Sequence, residues 1–79
     1  MTAKLVFLGK LADLAGAGER EVTAGPLTDV LAAMPVDLAM ALSHERVRCA
    51  LNGQLVSRET TVVLADGDEF AFLPPVSGG

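Results

Sequence analysis

Both ends of this chain carry short apolar runs that favour β-strands, and the helical patterns lie between them. Residues 4–8 form the first run and residues 69–73 the last, each rich in the aromatic and aliphatic residues that strands prefer. A length of 79 residues allows one small domain. The order β-β-α-β-β therefore predicts an α+β fold with one mixed sheet of four to five strands and one main helix across one face.

The middle of the chain carries clear helix and turn signals. Thr28 is predicted to cap the main helix, with Asp29 in its first turn, and Pro35 to separate it from a second helical piece. Asn52-Gly53 is a strong hairpin turn signal. The other elements we expect are a helical turn at 10–15, strands at 19–23, 46–51 and 54–56, the second helical piece at 36–42 and a short apolar run at 61–64.

The two terminal strands are apolar on both of their faces. Alternation places Phe7, Phe70 and Phe72 on one face, which we predict to be the core face under the helix. A set of smaller side chains is then left over, because one helix layer covers one face only. This leftover set, which predicts a partner-binding surface, comprises Val6, Leu8, Ala71 and Leu73, with Leu55 added. The alternatives are that central strands are simply apolar on both faces without binding a partner, or that the patch self-associates.

Composition excludes several classes of function. A net charge of −4 and the absence of Trp and Tyr argue against a nucleic-acid partner, and instead favour steering toward a basic protein surface. Residues 30–42, the longest apolar region, are too short and too interrupted to span a membrane. A lone cysteine cannot form an internal disulfide or a metal cluster, so a cytoplasmic location is the default.

The sequence ends in Gly78-Gly79, which contribute no side-chain packing and are costly to order. We predict a domain at 1–73 and a flexible C-terminal tail at 74–79, which can extend about 20 Å. Pro74 and Pro75 stiffen its base, Val76 and Ser77 continue it, and the carboxylate of Gly79 is its tip. The alternative is an ordinary frayed terminus.

Three segments resemble one known family. Residues 64–79, LADGDEFAFLPPVSGG, are similar to the C-terminal signature of molybdopterin synthase small subunits, in the MoaD/ThiS family of sulfur carriers. Residues 7–16 and 50–56 also resemble that family, and the likeness spans the chain.

The resemblance implies a ubiquitin-like β-grasp fold and a chemical role for the tail. An E1-like adenylating enzyme uses ATP to activate the terminal glycine, here Gly79, and a sulfur donor (a persulfide) then supplies the sulfur of a thiocarboxylate. The large subunit of the synthase takes in the tail and transfers its sulfur to precursor Z in molybdenum cofactor biosynthesis. Leu8, Leu55 and Leu73 would supply the hydrophobic contacts with both partners.

Other candidate residues receive simpler interpretations. Cys49 falls on the predicted core face, His44 at a helix end, and Asp66 and Asp68 in a tight turn. The sequence has no nucleophile–base pair, phosphate loop or metal-ligand spacing, so we expect a non-catalytic carrier with no metal site and no bound cofactor. Two alternatives stay open: a sulfur carrier for thiamine or cysteine biosynthesis, and a ubiquitin-like modifier that joins lysines through Gly79.

Overall fold

In the computed structural model, residues 1–57 and 60–75 are described, and they form seven strands and three short helices. The strands are β1 (Thr2–Phe7), β2 (Glu19–Thr23), β3 (Gly25–Pro26), β4 (Arg48–Leu51), β5 (Gln54–Val56), β6 (Val63–Leu64) and β7 (Glu69–Leu73). The helices are α1 (Lys10–Ala15), α2 (Leu27–Ala32) and α3 (Val36–Leu42).

The main sheet has five strands in the order β2-β1-β7-β4-β5. The first and last strands lie side by side and parallel, with Leu5 opposite Phe70 and Phe7 opposite Phe72. All other neighbours in this sheet are antiparallel. This mixed sheet with a helix layer confirms the predicted ubiquitin-like β-grasp.

Three short helices share the layer that the sequence assigned to one main helix. Pro35 lies between α2 and α3, as predicted, because proline cannot continue the hydrogen bonding of the preceding turn. The second helical piece and α1 match their predicted bounds, and α1 contacts α3. Within the described ranges, no helix is long and apolar enough to cross a membrane.

The predicted helix cap at Thr28 is wrong. A cap at Thr28 would start the helix at Asp29, but the helix begins two residues earlier, at Leu27, with Pro26 in the cap position and no side-chain cap hydrogen bond. The start is fixed instead by tertiary structure, because the N–H of Leu27 donates to the carbonyl of Val62 at 2.9 Å. That contact continues a small second sheet, in which β3 pairs with β6. Strand β3 was not predicted, because its two residues carry only the turn signal of Gly25-Pro26.

The core lies between the main sheet and the helices. Phe72 stacks on Phe7 with ring centroids 5.8 Å apart and meets Phe70 edge-on at 5.1 Å, both favourable aromatic geometries. Leu5, opposite Phe70 in the neighbouring strand, belongs to the same core and is fully buried, at 0% exposure. The prediction that the aromatic face is the core face is therefore confirmed.

Candidate functional site

The face of the main sheet opposite the helices carries an apolar row across four strands. The strand registers align Val6 with Ala71, Ala71 with Ala50, and Ala50 with Leu55. Direct cross-strand partners lie on the same face of a sheet, so these side chains share one surface. Leu55 is 65% exposed, while Val6, Ala71 and Ala50 are half-buried.

A second row lies closer to the C-terminal end of β7. Leu73 is half-buried and faces Arg48 across the β4–β7 pair. Leu8 follows β1 directly, is 42% exposed, and donates its N–H to the carbonyl of Phe72 at 3.2 Å. We call these two apolar rows the open face; its members are Val6, Leu8, Ala50, Leu55, Ala71 and Leu73.

The structure thus brings together all five predicted partner-binding residues. Ala50, which was not among the predicted residues, completes the surface between Ala71 and Leu55. Small side chains at its centre leave it shallow, with leucines at the margins. Such a surface fits a flat apolar area on another protein, and its role in docking stays a prediction.

The root of the predicted tail packs against the domain. Strand β7 ends at Leu73, and Pro74 is half-buried beside Gly9. Gly9 has φ 54°, and a Cβ at this position would lie 3.1 Å from Cγ of Pro74. Glycine therefore suits this position in two ways: it adopts the positive φ without strain, and it lets the proline approach closely where a Cβ would force the ring to shift. Pro75 is exposed and lines a groove of about 600 Å³ that also includes Arg46 and Val47.

The remaining tail residues of the prediction lie outside the described residues. They are Val76, Ser77, Gly78 and Gly79. The boundary between a domain at 1–73 and a tail at 74–79 stays a prediction, with the finding that Pro74 contacts the domain.

A polar network fixes the start of β7. The carboxylate of Asp68 accepts the N–H of Ala65 at 2.9 Å and the side-chain amide of Asn52 at 3.1 Å. The side-chain oxygen Oδ1 of Asn52 in turn accepts the backbone N–H of Glu69 at 2.9 Å. The backbone hydrogen bond from Ala65, followed by the Asn52 amide, lowers the pKa of Asp68 below its usual value. The sequence predicted a turn at Asn52 and another at Asp68, but it did not predict the hydrogen bond between these two side chains.

The neighbouring Asp66 also stabilises the fold through a hydrogen bond. Its carboxylate accepts the N–H of Thr2 at 2.9 Å, and the N–H of Gly67 donates to the Thr2 carbonyl at 2.8 Å. These bonds hold the beginning of β1 against the turn before β7. The prediction that Asp66 and Asp68 are turn residues is confirmed, and the described residues contain no group of three or more His, Cys, Asp or Glu side chains able to hold a metal ion.

The two remaining candidates lie where the sequence placed them. Cys49 faces Phe72 across β4–β7, is half-buried and packs against the core. His44 lies exposed after α3, and its Nδ1 accepts the N–H of Arg46 at 3.1 Å. Neither lies on the open face.

Comparisons with known proteins identify relatives over the whole chain. The ThiS family model matches residues 5–79. The molybdopterin synthase sulfur carrier subunit of Escherichia coli K12 is 38% identical, covering 96% of this chain and 98% of that protein. The subunit of the same name from Chlamydomonas reinhardtii is 35% identical over the full length of both proteins. Among solved structures, SAMP1 from Haloferax volcanii has a TM-score of 0.72 at 26% identity, with complete coverage of both chains.

Proposed function

The chain belongs to the ThiS family, and from this premise we propose that it is a sulfur carrier, the small subunit of a molybdopterin synthase. The observation that carries the proposal is the full-length likeness to two curated sulfur carrier subunits of that synthase. Both relatives are closer in sequence than the structural neighbour from Haloferax.

The reacting group in this proposal is the carboxylate of Gly79. It attacks the α-phosphorus of ATP on an E1-like adenylating enzyme, which forms an acyl-adenylate and releases pyrophosphate. The outer sulfur of a persulfide donor then displaces AMP, and a thiol cleaves the resulting acyl disulfide to leave the thiocarboxylate. ATP is bound by the enzyme, so the carrier itself needs no cofactor.

The second half of the proposal is delivery of the sulfur. The open face docks on the large subunit, and the tail beyond Pro75 carries the thiocarboxylate into that subunit's active site, where precursor Z accepts the sulfur. Four residues extend about 13 Å, and glycines at the tip pass through a channel too narrow for a Cβ. Pro74, packed beside Gly9, anchors the chain one residue before this four-residue reach begins.

The separate roles of the carrier and its partner proteins follow from the same arrangement. The carrier contributes the acyl group and the docking surface, and the partners contribute catalysis, so we propose that the chain is not an enzyme by itself. A cytoplasmic location stays a prediction.

Intact mass spectrometry tests the central step. Protein from cells that contain the sulfuration machinery should gain the mass of one oxygen replaced by sulfur, and the same spectrum verifies that the chain ends at Gly79. Deletion of Gly79 is the matched control: it should abolish the mass gain while leaving the melting temperature unchanged. Absence of the sulfur adduct in the wild-type protein would contradict the proposal.

One alternative has a specific observation behind it. The likeness to SAMP1, a small archaeal modifier protein by name, favours a role as a protein modifier. A modifier would form conjugates of increasing mass that disappear when Gly79 is deleted, whereas a carrier would remain a single species with a thiocarboxylate. A carrier for thiamine or cysteine biosynthesis would give the same adduct but would co-purify with a thiazole synthase or a cysteine synthase.

A further inference from the structure

Charged side chains divide the open face into two ends of opposite sign. At the end distant from the tail, Lys4 of β1 lies between Glu21 of β2 and Glu69 of β7 in the strand registers. Glu19 lies opposite Val6 on the same face, and its carboxylate is 3.5 Å from Nζ of Lys4. Three carboxylates around one ammonium group leave this end of the face negative.

The end at the root of the tail has the opposite sign. Arg48 is exposed and lies directly across from Leu73, the last residue of β7. Among residues 1–57 and 60–75, Lys4 and Glu19 form the one ion pair and the guanidinium of Arg48 has no hydrogen-bond partner. Its charge is therefore available to a partner.

The apolar centre of the open face fixes orientation only weakly. It consists of Ala50 and Ala71, two small side chains that give a flat partner little resistance to rotation. Rotation would direct the tail away from the active site that must receive it. Opposite charges at the two ends remove this ambiguity, because the reversed arrangement places like charges together, which is costly at an interface.

We propose that Arg48 is a specificity-determining residue, which pairs with a carboxylate of the protein that receives the tail and so orients docking. The inference rests on the proposed function. The partner surface is apolar at its centre, with an acidic group facing Arg48 and basic groups facing Glu19, Glu21 and Glu69. A nucleic acid or an anionic membrane does not fit, because the acidic end of the face would repel it.

The experiment compares charge reversal on the two faces of the sheet. Arg48→Glu changes the open face, while Arg20→Glu is the matched control: Arg20 lies opposite the buried Leu5, and therefore points to the other face, and it is exposed. The probe is the large subunit of molybdopterin synthase from the same organism, with affinity measured at low and high salt. Far-UV circular dichroism verifies that both variants fold.

We expect Arg48→Glu to weaken binding by about tenfold or more at low salt, a change typical of a like-charge contact. The loss should shrink at about 1 M salt, where the screening length falls to about 3 Å. Arg20→Glu should bind as the wild type does, and Arg48→Lys, which keeps the charge, should retain most of the affinity.

Two results would overturn the inference in different ways. If the wild type binds and Arg48→Glu loses no more affinity than Arg20→Glu, the orienting role of Arg48 fails while the proposed function stands. If the wild type does not bind the large subunit at all, the proposed function fails and the inference fails with it.

Discussion

Replacing Leu55 with alanine should impair binding more than folding. Leu55 is 65% exposed, so about a third of its side chain contributes to stability. Full burial of a leucine is worth about 1.5–3 kcal/mol, which gives a cost of about 0.5–1 kcal/mol in the free energy of unfolding. The exposed two-thirds are available to a partner, and their loss should cost about 1–2 kcal/mol, or about 5–30-fold in affinity.

The same substitution at Leu5 is the matched control. Leu5 is 0% exposed, and Leu→Ala at a buried position costs about 3–5 kcal/mol. One kcal/mol shifts the melting temperature of a domain this size by about 4–8 °C. We therefore expect a drop of about 2–8 °C for Leu55→Ala and of more than about 12 °C for Leu5→Ala.

Thermal unfolding followed by far-UV circular dichroism measures both values, because the chain has no Trp or Tyr for fluorescence. Titration of the folded variant with the large subunit measures the affinity. The reasoning is refuted if Leu55→Ala destabilises the protein as much as Leu5→Ala does, or if it leaves binding unchanged.

Two further predictions concern the segments that hold β7 and the tail root. Asp68 has a lowered pKa in the folded state. Its contribution to stability is therefore present above the unfolded value of 3.8 and is lost as pH falls through the folded value. Asp68→Asn should flatten the loss of unfolding free energy, measured by urea titrations, as pH falls below 3.8, and an unchanged pH profile would contradict this. Gly9→Ala should cost about 1–3 kcal/mol through backbone strain and should shift the NMR resonances of Pro74 without changing those of Asp68. A melting temperature equal to that of the wild type would contradict the strain at Gly9, and unchanged Pro74 resonances would contradict its close packing with Pro74.

Local signals predicted most of the fold. The break at Pro35 and the turn at Asn52-Gly53 depend on backbone constraints of the residues themselves, and both are observed. Two-sided apolar alternation in β1 and β7 predicted the core face and the open face, because side-chain direction in a strand follows from sequence position alone. No local pattern encodes the parallel pairing of these strands; it follows from the β-grasp fold that the family resemblance implies.

The features that the sequence missed depend on contacts between distant parts of the chain. Helix α2 begins at Leu27 rather than after Thr28 because a carbonyl from Val62 holds it there. The hydrogen bond between Asn52 and Asp68 likewise joins two turns that each look complete in the sequence. Arg48 could be placed on the outer face by alternation, but its position beside Leu73 requires the strand register.

The position of β7 between β1 and β4 also determines when, during synthesis, the protein becomes able to bind a partner. A chain that emerges from the ribosome can form the β1–β2 and β4–β5 hairpins early, because each joins neighbouring segments. The two hairpins share no strand until residues 69–73 arrive and pair with both. Contacts between such distant segments form late. The surface that a partner would recognise is therefore completed only by the last strand, which also bears the tail. A chain that is still being synthesised has neither this surface nor the tail.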